Sequence, residues 1–474
     1  MIGCEPHSQL DPPRFTGDTA RLQAEPVAED TDSRPSKHRL VLTLVVITAS
    51  VVLSLSTFAD PLLARGVAIA ASYLALALTE VVPPFVPTLL LICITPLALA
   101  PLDPRFALPE ILAWSADPVV ALFAGGLALG VAGHRHRIDA AIASIVVSLA
   151  HGSCRRLLAL VILGTAIMSM WMSNIAAAAM ILAVLRPLLQ QPSIQLDFRR
   201  ALLLGVAMAA NIGGISTPIG TGSNAIAIAA VESRVAITFL HWMSFALPLV
   251  CGMLGLAFAL LLLRYRVRGT FSATPSLVTL DRQSFGVVVV FTLALLTWVT
   301  EPWHGLSAPL VALLGTLLLF GSGLLGRRDL NALDWSTLGL IAGGISLGKL
   351  LEATGATAAF QVIDWTALPR VVWLGVLVLA SAGLSSLMSN TGTAALLIPL
   401  ALTIDASPRI AVIIAVAASF GMPFSISTPP NAMAYGEGGL RSSDLLFIGL
   451  TLMLIGCALV TFTGDVALQA LGLP

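Results

Sequence analysis

A chain of 474 residues with 57% hydrophobic and 11% charged residues, and a mean hydropathy of +0.94, does not describe a soluble surface. Its 25 basic and 25 acidic residues cancel, which removes the electrostatic case for nucleic acid or a polyanionic partner. Five cysteines, Cys4, Cys93, Cys154, Cys251 and Cys457, lack C-x-x-C spacing and read as small apolar residues rather than as disulfides or a metal cluster.

Residues 1–39 form a Pro-, Asp- and Glu-rich tail that holds 12 of the 50 charges and reads as disordered and cytoplasmic. A cleavable signal peptide would place its apolar core nearer the start. From Leu40 onward the chain reads as an all-α polytopic membrane protein, with residues 40–61 holding the first transmembrane helix. Apolar spans are predicted over 40–58, 62–82, 85–101, 118–132, 201–230, 236–263, 284–300, 306–325, 336–354, 408–433 and 444–470, eleven in all. Two further apolar stretches, 157–189 and 371–403, are broken near the middle at Ser173-Asn174 and Ser389-Asn390. Each reads as a re-entrant hairpin, because a non-helical tip is tolerated at membrane depth only where it is buried in protein or lines a cavity. With the tail inside, 17 of the 25 Lys and Arg side chains fall on the cytoplasmic side and 5 outside, which favours this topology in the cell (inner) membrane and puts the C-terminus outside.

Four landmarks occur twice in the same order. Thr79-Glu80 recurs as Thr300-Glu301, the Gly-Gly turn of 123–130 as that of 341–348, Ser173-Asn174 as Ser389-Asn390, and Thr221-Gly-Ser-Asn224 as Thr428-Pro-Pro-Asn431, at offsets of 221, 218, 216 and 207. Four pairs in register point to duplication, with repeat 1 over 62–268, a cytoplasmic linker over 269–283 and repeat 2 over 284–474. Each unit has five spans and one hairpin, and an odd number of crossings inverts the second unit relative to the first. Inverted repeats with broken helices mark secondary transporters, with the site where the repeats meet.

Each hairpin tip is followed at once by helix-forming sequence, so backbone N–H groups and a positive helix end face the cavity. Asn amides and Ser/Thr hydroxyls add donors for a carboxylate, sulfate or phosphate-like oxyanion, and the same tips expose the hard oxygens that a small alkali cation prefers. The segments 211–224 and 419–431 break apolar spans with Gly, Pro, Ser and Thr; close helix packing is the plainer reading of either alone, and binding the better reading of two paired breaks beside two paired tips. Glu80 and Glu301 read as boundary carboxylates, His134-Arg-His-Arg137 as an interfacial cluster, Glu437 as a helix-start residue, and Lys349 as snorkelling or paired with Glu352. No catalytic triad, phosphate-binding loop or HExxH pattern stands out, so an enzyme is not expected.

These motifs resemble the divalent anion/sodium symporters of the ion transporter superfamily, which carry dicarboxylates, citrate or sulfate. The resemblance covers roughly residues 40–474 and rests on the paired tips and paired breaks. It implies a homodimer in the lipid bilayer, each protomer having a scaffold domain and a transport domain that moves like an elevator, with Na+ as the coupling ion. It implies a first sodium site from Ser169, Ser173, Asn174 and Gly220, and a second from Ser385, Asn390 and Ser427. Anion contacts would come from Ser173, Asn174, Thr221, Ser389, Asn390, Thr391, Thr428 and Pro429. The first half departs from the family pattern: Ile175 stands for the usual Thr and Gly222-Ser223 for the usual Pro-Pro. A sodium-independent anion exchanger and an arsenite-type efflux permease remain alternatives.

Overall fold

The computed structural model describes residues 37–79, 81–191, 194–271, 279–356 and 367–473. The architecture is all-helical, with no β-strand among the described residues, as expected of apolar segments that must satisfy their backbone groups without water. Six of the described helices are long and apolar enough to cross a bilayer, among them Leu40–Thr57, Phe239–Arg264 and Ser442–Ala470. Other apolar helices run 10–17 residues, or roughly 15–26 Å at about 1.5 Å per residue, short of a ~30 Å hydrocarbon core.

Two arrangements recur among the helices. In the first, Cys154–Ser169 and Asn174–Leu189 form an antiparallel hairpin, and Arg370–Ser385 and Asn390–Ile404 form another. In the second, a helix is interrupted: Leu196–Gly213 passes through a short turn at Gly214–Ser216 before Gly222–Val231 resumes, and Pro408–Ser419 is followed after a gap by Pro429–Gly436. The sequence dictates both stops and restarts. Ser173, Ser389 and Thr428 cap the restarting helices through their side-chain oxygens, and Pro429 supplies a pre-set φ at a first helical position.

The interrupted helices form the centre of the largest core cluster, with residues 201–213 and 410–418 buried on every face. Alanines in both, with Gly205 and Gly213 in the first, permit this, since small side chains let neighbouring backbones approach. A second cluster joins Pro118–Arg135 to Arg282–Val299 and Ala308–Gly321, and a third joins Pro61–Thr79 and Val86–Leu99 to Trp335–Ala353. Lys37–Thr57 packs on Pro61–Thr79 and leaves Leu42, Val52 and Leu53 more than half exposed, as a lipid-facing helix would.

Two local expectations, for Lys349 and Glu437, are corrected. Lys349 Nζ lies 3.1 Å from Asp117 Oδ2 rather than pairing with Glu352, because the fold brings the start of Pro118–Arg135 against Trp335–Ala353. Glu437 follows the end of Pro429–Gly436 instead of starting a helix, and its carboxylate takes Arg186 at 2.5 Å. His134 pairs with Asp139 at 2.8 Å, and Arg135 pairs with Asp329. Ile138–Leu149, outside every predicted span, is a helix packed on Cys154–Ser169; its 12 residues are too few to cross a bilayer. Glu80, the tail over 1–36 and residues 272–278 of the linker lie outside the described residues.

A methyl group at Gly213 would stand 2.6 Å from Ala166 Cα, whereas one at Gly255 would meet open space. Gly213→Ala is expected to cost about 1–3 kcal/mol through overpacking. Gly255→Ala, on an exposed helix face, is expected to be neutral or to stabilise by up to ~1 kcal/mol. Thermal unfolding of the two variants in detergent checks the pair.

Candidate functional site

Both hairpin tips and both helix breaks border one cavity of about 150 Å3. Ser173, Asn174, Thr221, Ser389, Asn390, Thr391, Thr428 and Pro429 all line it, as do Gly220 and Ser427. Ser169 and Ser385 do not; both are fully buried one layer behind, where each hydroxyl sits 2.7 Å from the side-chain oxygen of the asparagine five residues on, Asn174 and Asn390 respectively.

Four helices begin at this cavity, Asn174–Leu189, Gly222–Val231, Asn390–Ile404 and Pro429–Gly436. A helix N-terminus carries about half a positive charge, so four together present roughly +2 without a basic side chain, and no Arg or Lys is among the lining residues. The Ser173 hydroxyl accepts from Ala176 N at 3.2 Å and the Ser389 hydroxyl from Gly392 N at 3.1 Å. The charged side chain in the lining is Asp334, whose carboxylate is engaged by Thr337 N at 2.9 Å and Thr337 Oγ1 at 2.5 Å. The first-half side is less polar: Ile175 is 45% exposed there, and Leu127, Met172 and Ile219 adjoin it.

The breaks are held open by asparagine side chains. Asn224 Nδ2 donates to Gly214 O at 3.1 Å, Ile215 O at 3.4 Å and Thr217 O at 2.8 Å. Asn431 Nδ2 donates to Met422 O at 3.0 Å and Phe424 O at 2.9 Å. Donor and acceptors keep one spacing of 207 residues: Asn224 to Asn431, Ile215 to Met422, Thr217 to Phe424. Hydroxyls then tie each break to a tip, Thr217 Oγ1 donating to Met170 O at 2.5 Å and Ser427 Oγ to Ser386 O at 2.9 Å. Glycine is required where the first break meets the tips and where it folds back on itself. A Cβ on Gly214 would lie 2.4 Å from Asn174 Oδ1, one on Gly220 would lie 2.3 Å from Gly214 O, and one on Gly222 would lie 2.4 Å from Thr391 Oγ1. The departure from Pro-Pro at 222–223 thus has a steric counterpart, since the second hairpin tip occupies the space a side chain at Gly222 would need.

Sequence reasoning assigned no role to Asn211, Trp171 or Asp334. Asn211 Nδ2 donates to Thr428 Oγ1 and Asn431 Oδ1, each at 3.1 Å, and so joins the two breaks; a single amide inside an apolar span was the available signal. Trp171, at the first tip, is nearly parallel to Phe239 and Trp298, with centroids 6.0 and 6.4 Å away. Asp334, three residues before Thr337, had the pattern of a helix cap.

A second cavity of about 540 Å3 lies at the far ends of Gly222–Val231 and Asn390–Ile404, and holds Asp117, Glu232, Arg234, Lys349 and Glu352. Burial raises the Glu232 carboxyl above its ordinary range; the Asp117 carboxylate adds to the shift and Lys349 opposes it.

The sequence matches the citrate transporter family over residues 73–405 and 295–470. The chain belongs to that family. It is 30% identical over 464 residues to an uncharacterized transporter of Haemophilus influenzae, an alignment covering 92% of this chain and 98% of that one. It is 25% identical to the sodium-dependent dicarboxylate transporter SdcS of Staphylococcus aureus, over 81% of this chain and 82% of that one. It is 27% identical to the inorganic phosphate transporter PHO87 of Saccharomyces cerevisiae, over 87% of this chain and 47% of that one. Among solved structures, the fold resembles the YdaH transporter of Alcanivorax borkumensis with a TM-score of 0.55 at 14% identity, covering 81% of this chain and 98% of that one. The family and these relatives are transporters, and the fold is that of the YdaH transporter.

Asn431→Ala leaves the buried Met422 carbonyl and the half-buried Phe424 carbonyl without their donor, the buried one costing about 1–3 kcal/mol; Asn431→Asp, which keeps the shape but loses the donor, is expected to be similarly unstable in thermal unfolding. A carboxyl raised on folding contributes stability that is present at low pH and lost as pH climbs through the raised value. Glu232→Gln should therefore match the parent below about pH 4 and exceed it near pH 8, read from unfolding temperatures across that range.

Proposed function

We propose that the protein is a secondary active transporter that binds a compact oxyanion in the 150 Å3 cavity and couples its movement to sodium ions. The observation that carries this reading is the convergence of four helix N-termini and paired Ser/Asn/Thr side chains on a cavity without a basic residue. Charge delivered by backbone dipoles holds an oxyanion, yet binds it less irrevocably than a buried guanidinium would, which suits a site that must also release. The cavity is smaller than the roughly 300–1,000 Å3 of drug-sized sites, in keeping with a dicarboxylate, sulfate, citrate or phosphate; dicarboxylate and phosphate are the named substrates of relatives.

Sodium coupling draws support from the oxygen clusters behind the tips. Ser169 Oγ lies 2.7 Å from Asn174 Oδ1 and 2.6 Å from Ala210 O, so one hydroxyl proton serves two acceptors. A small cation there would satisfy the remaining lone pairs, with Ser173 and Gly220 completing the first sodium site and Ser385, Asn390 and Ser427 forming the second. Recurrence of the hairpin, the broken helix and its asparagine clamp supports two inverted repeats. The division of the core into a central cluster and two flanking ones supports a mobile transport domain within a scaffold, acting as an elevator in a homodimer. The basic-residue distribution supports a cytoplasmic N-terminus.

Radiolabelled uptake into proteoliposomes, screened over phosphate, sulfate, succinate and citrate, tests the reading. Accumulation of one anion is expected only with an inward sodium gradient, and counterflow indifferent to sodium would refute the coupling. Asn174→Ala and Asn390→Ala should each lower uptake about 10- to 100-fold, the effect of losing a hydrogen bond to a charged group worth roughly 1.5–3 kcal/mol.

A further inference from the structure

The two broken helices differ in one respect that the transport reading leaves unused. In the second break, Asn211 Nδ2 serves both Thr428 Oγ1 and Asn431 Oδ1. The residues 207 positions away from Thr428, Asn431 and Asn211 are Thr221, Asn224 and Ala418. A methyl group therefore stands in the chain where the matching amide donor would arise. Correspondingly, Asn224 Oδ1 is fully buried and has no hydrogen-bond partner, a state that native structures avoid unless something unseen satisfies the atom.

Two hydroxyls are present on this side that the other half lacks. Ser223 and Ser419 match Pro430 and Ile212 at the same spacing, and both are buried. Thr221 Oγ1 lies 3.4 Å from Ser223 Oγ, Ser223 Oγ lies 3.3 Å from Ser419 Oγ, and Ser419 Oγ lies 3.4 Å from Ala415 O. Such distances are long for O–H···O bonds, which cluster near about 2.7–2.8 Å. They match adjacent oxygens around a cation held at roughly 2.3–2.6 Å, which at octahedral corners stand about 3.3–3.7 Å apart.

We propose that Thr221, Ser223, Asn224 and Ser419 form a further cation site, in which a sodium ion takes the place that the Asn211 amide fills in the second break. The set holds only neutral oxygens, which suits a monovalent ion; divalent ions of this class call for carboxylates. Thr221 lines the anion cavity while the other three lie behind it, so the ion adds positive charge beside the half in which Ile175 replaces a hydroxyl. This site rests on the sodium-coupled reading and adds one ion to its stoichiometry.

Equilibrium binding of radioactive sodium to the purified full-length protein, with choline as the replacement cation, tests it. Ala418→Asn supplies the missing donor, and Ser223→Ala removes a ligand; each variant is expected to bind one sodium ion fewer than the parent. Should Ala418→Asn fail to fold, Ser223→Ala decides alone. Folded variants that bind as many ions as the parent overturn this site and leave the coupled reading standing. A parent that binds no sodium overturns both.

Discussion

An interrupted helix deep in an apolar body leaves carbonyl and amide groups that neither water nor the helix itself satisfies, and such groups are costly in low dielectric. Two asparagine side chains meet that need here. Asn224 and Asn431 each place one amide nitrogen against the carbonyls of the chain seven to ten residues earlier, so the backbone can stop, turn and restart inside the core. Everything chemically useful depends on this: the restart points supply helix N-termini, the turn brings Gly214 against the first tip and Gly220 against Gly214, and the cavity forms where the four restarts meet.

The halves share this plan without being equal. The second half retains the hydroxyl at Thr391 and the cap at Thr428, and receives Asn211 from the first. The first half presents Ile175 to the cavity, yields the space at Gly222 to Thr391, and has an unpartnered acceptor at Asn224. The polar pole of the cavity thus lies in the second half. In the anion site proposed above, the apolar wall opposite is the part expected to tune which anion fits, because a desolvated group that finds no donor weakens binding more than an extra apolar contact strengthens it.

Much of the site was legible because its residue types are out of place. Ser-Asn pairs and Gly/Pro/Thr runs inside apolar stretches have no reason to be there unless the helix breaks, and their pairing along the chain identified both tips and both breaks. Side-chain partnerships were less legible. Lys349 had Glu352 within helical reach, yet the fold offers Asp117, a partner 232 residues away. Trp171 carried no sequence signal of its own, and only the packing sets it parallel to Phe239 and Trp298.

The amino-acid order by itself determined that the chain beyond its polar tail is built of apolar helices, where those helices break, and that the breaks recur, since hydropathy, capping residues and helix-breaking residues act over a few positions. Tertiary structure alone decided which oxygens face one another, which glycines must be glycines, and that ten of the predicted site residues surround one cavity while Ser169 and Ser385 stand behind it. The bonds that join tip to break and break to break link residues some 40 to 220 positions apart, and their geometry is set by how whole helices pack rather than by any property of the residues next to them in the chain.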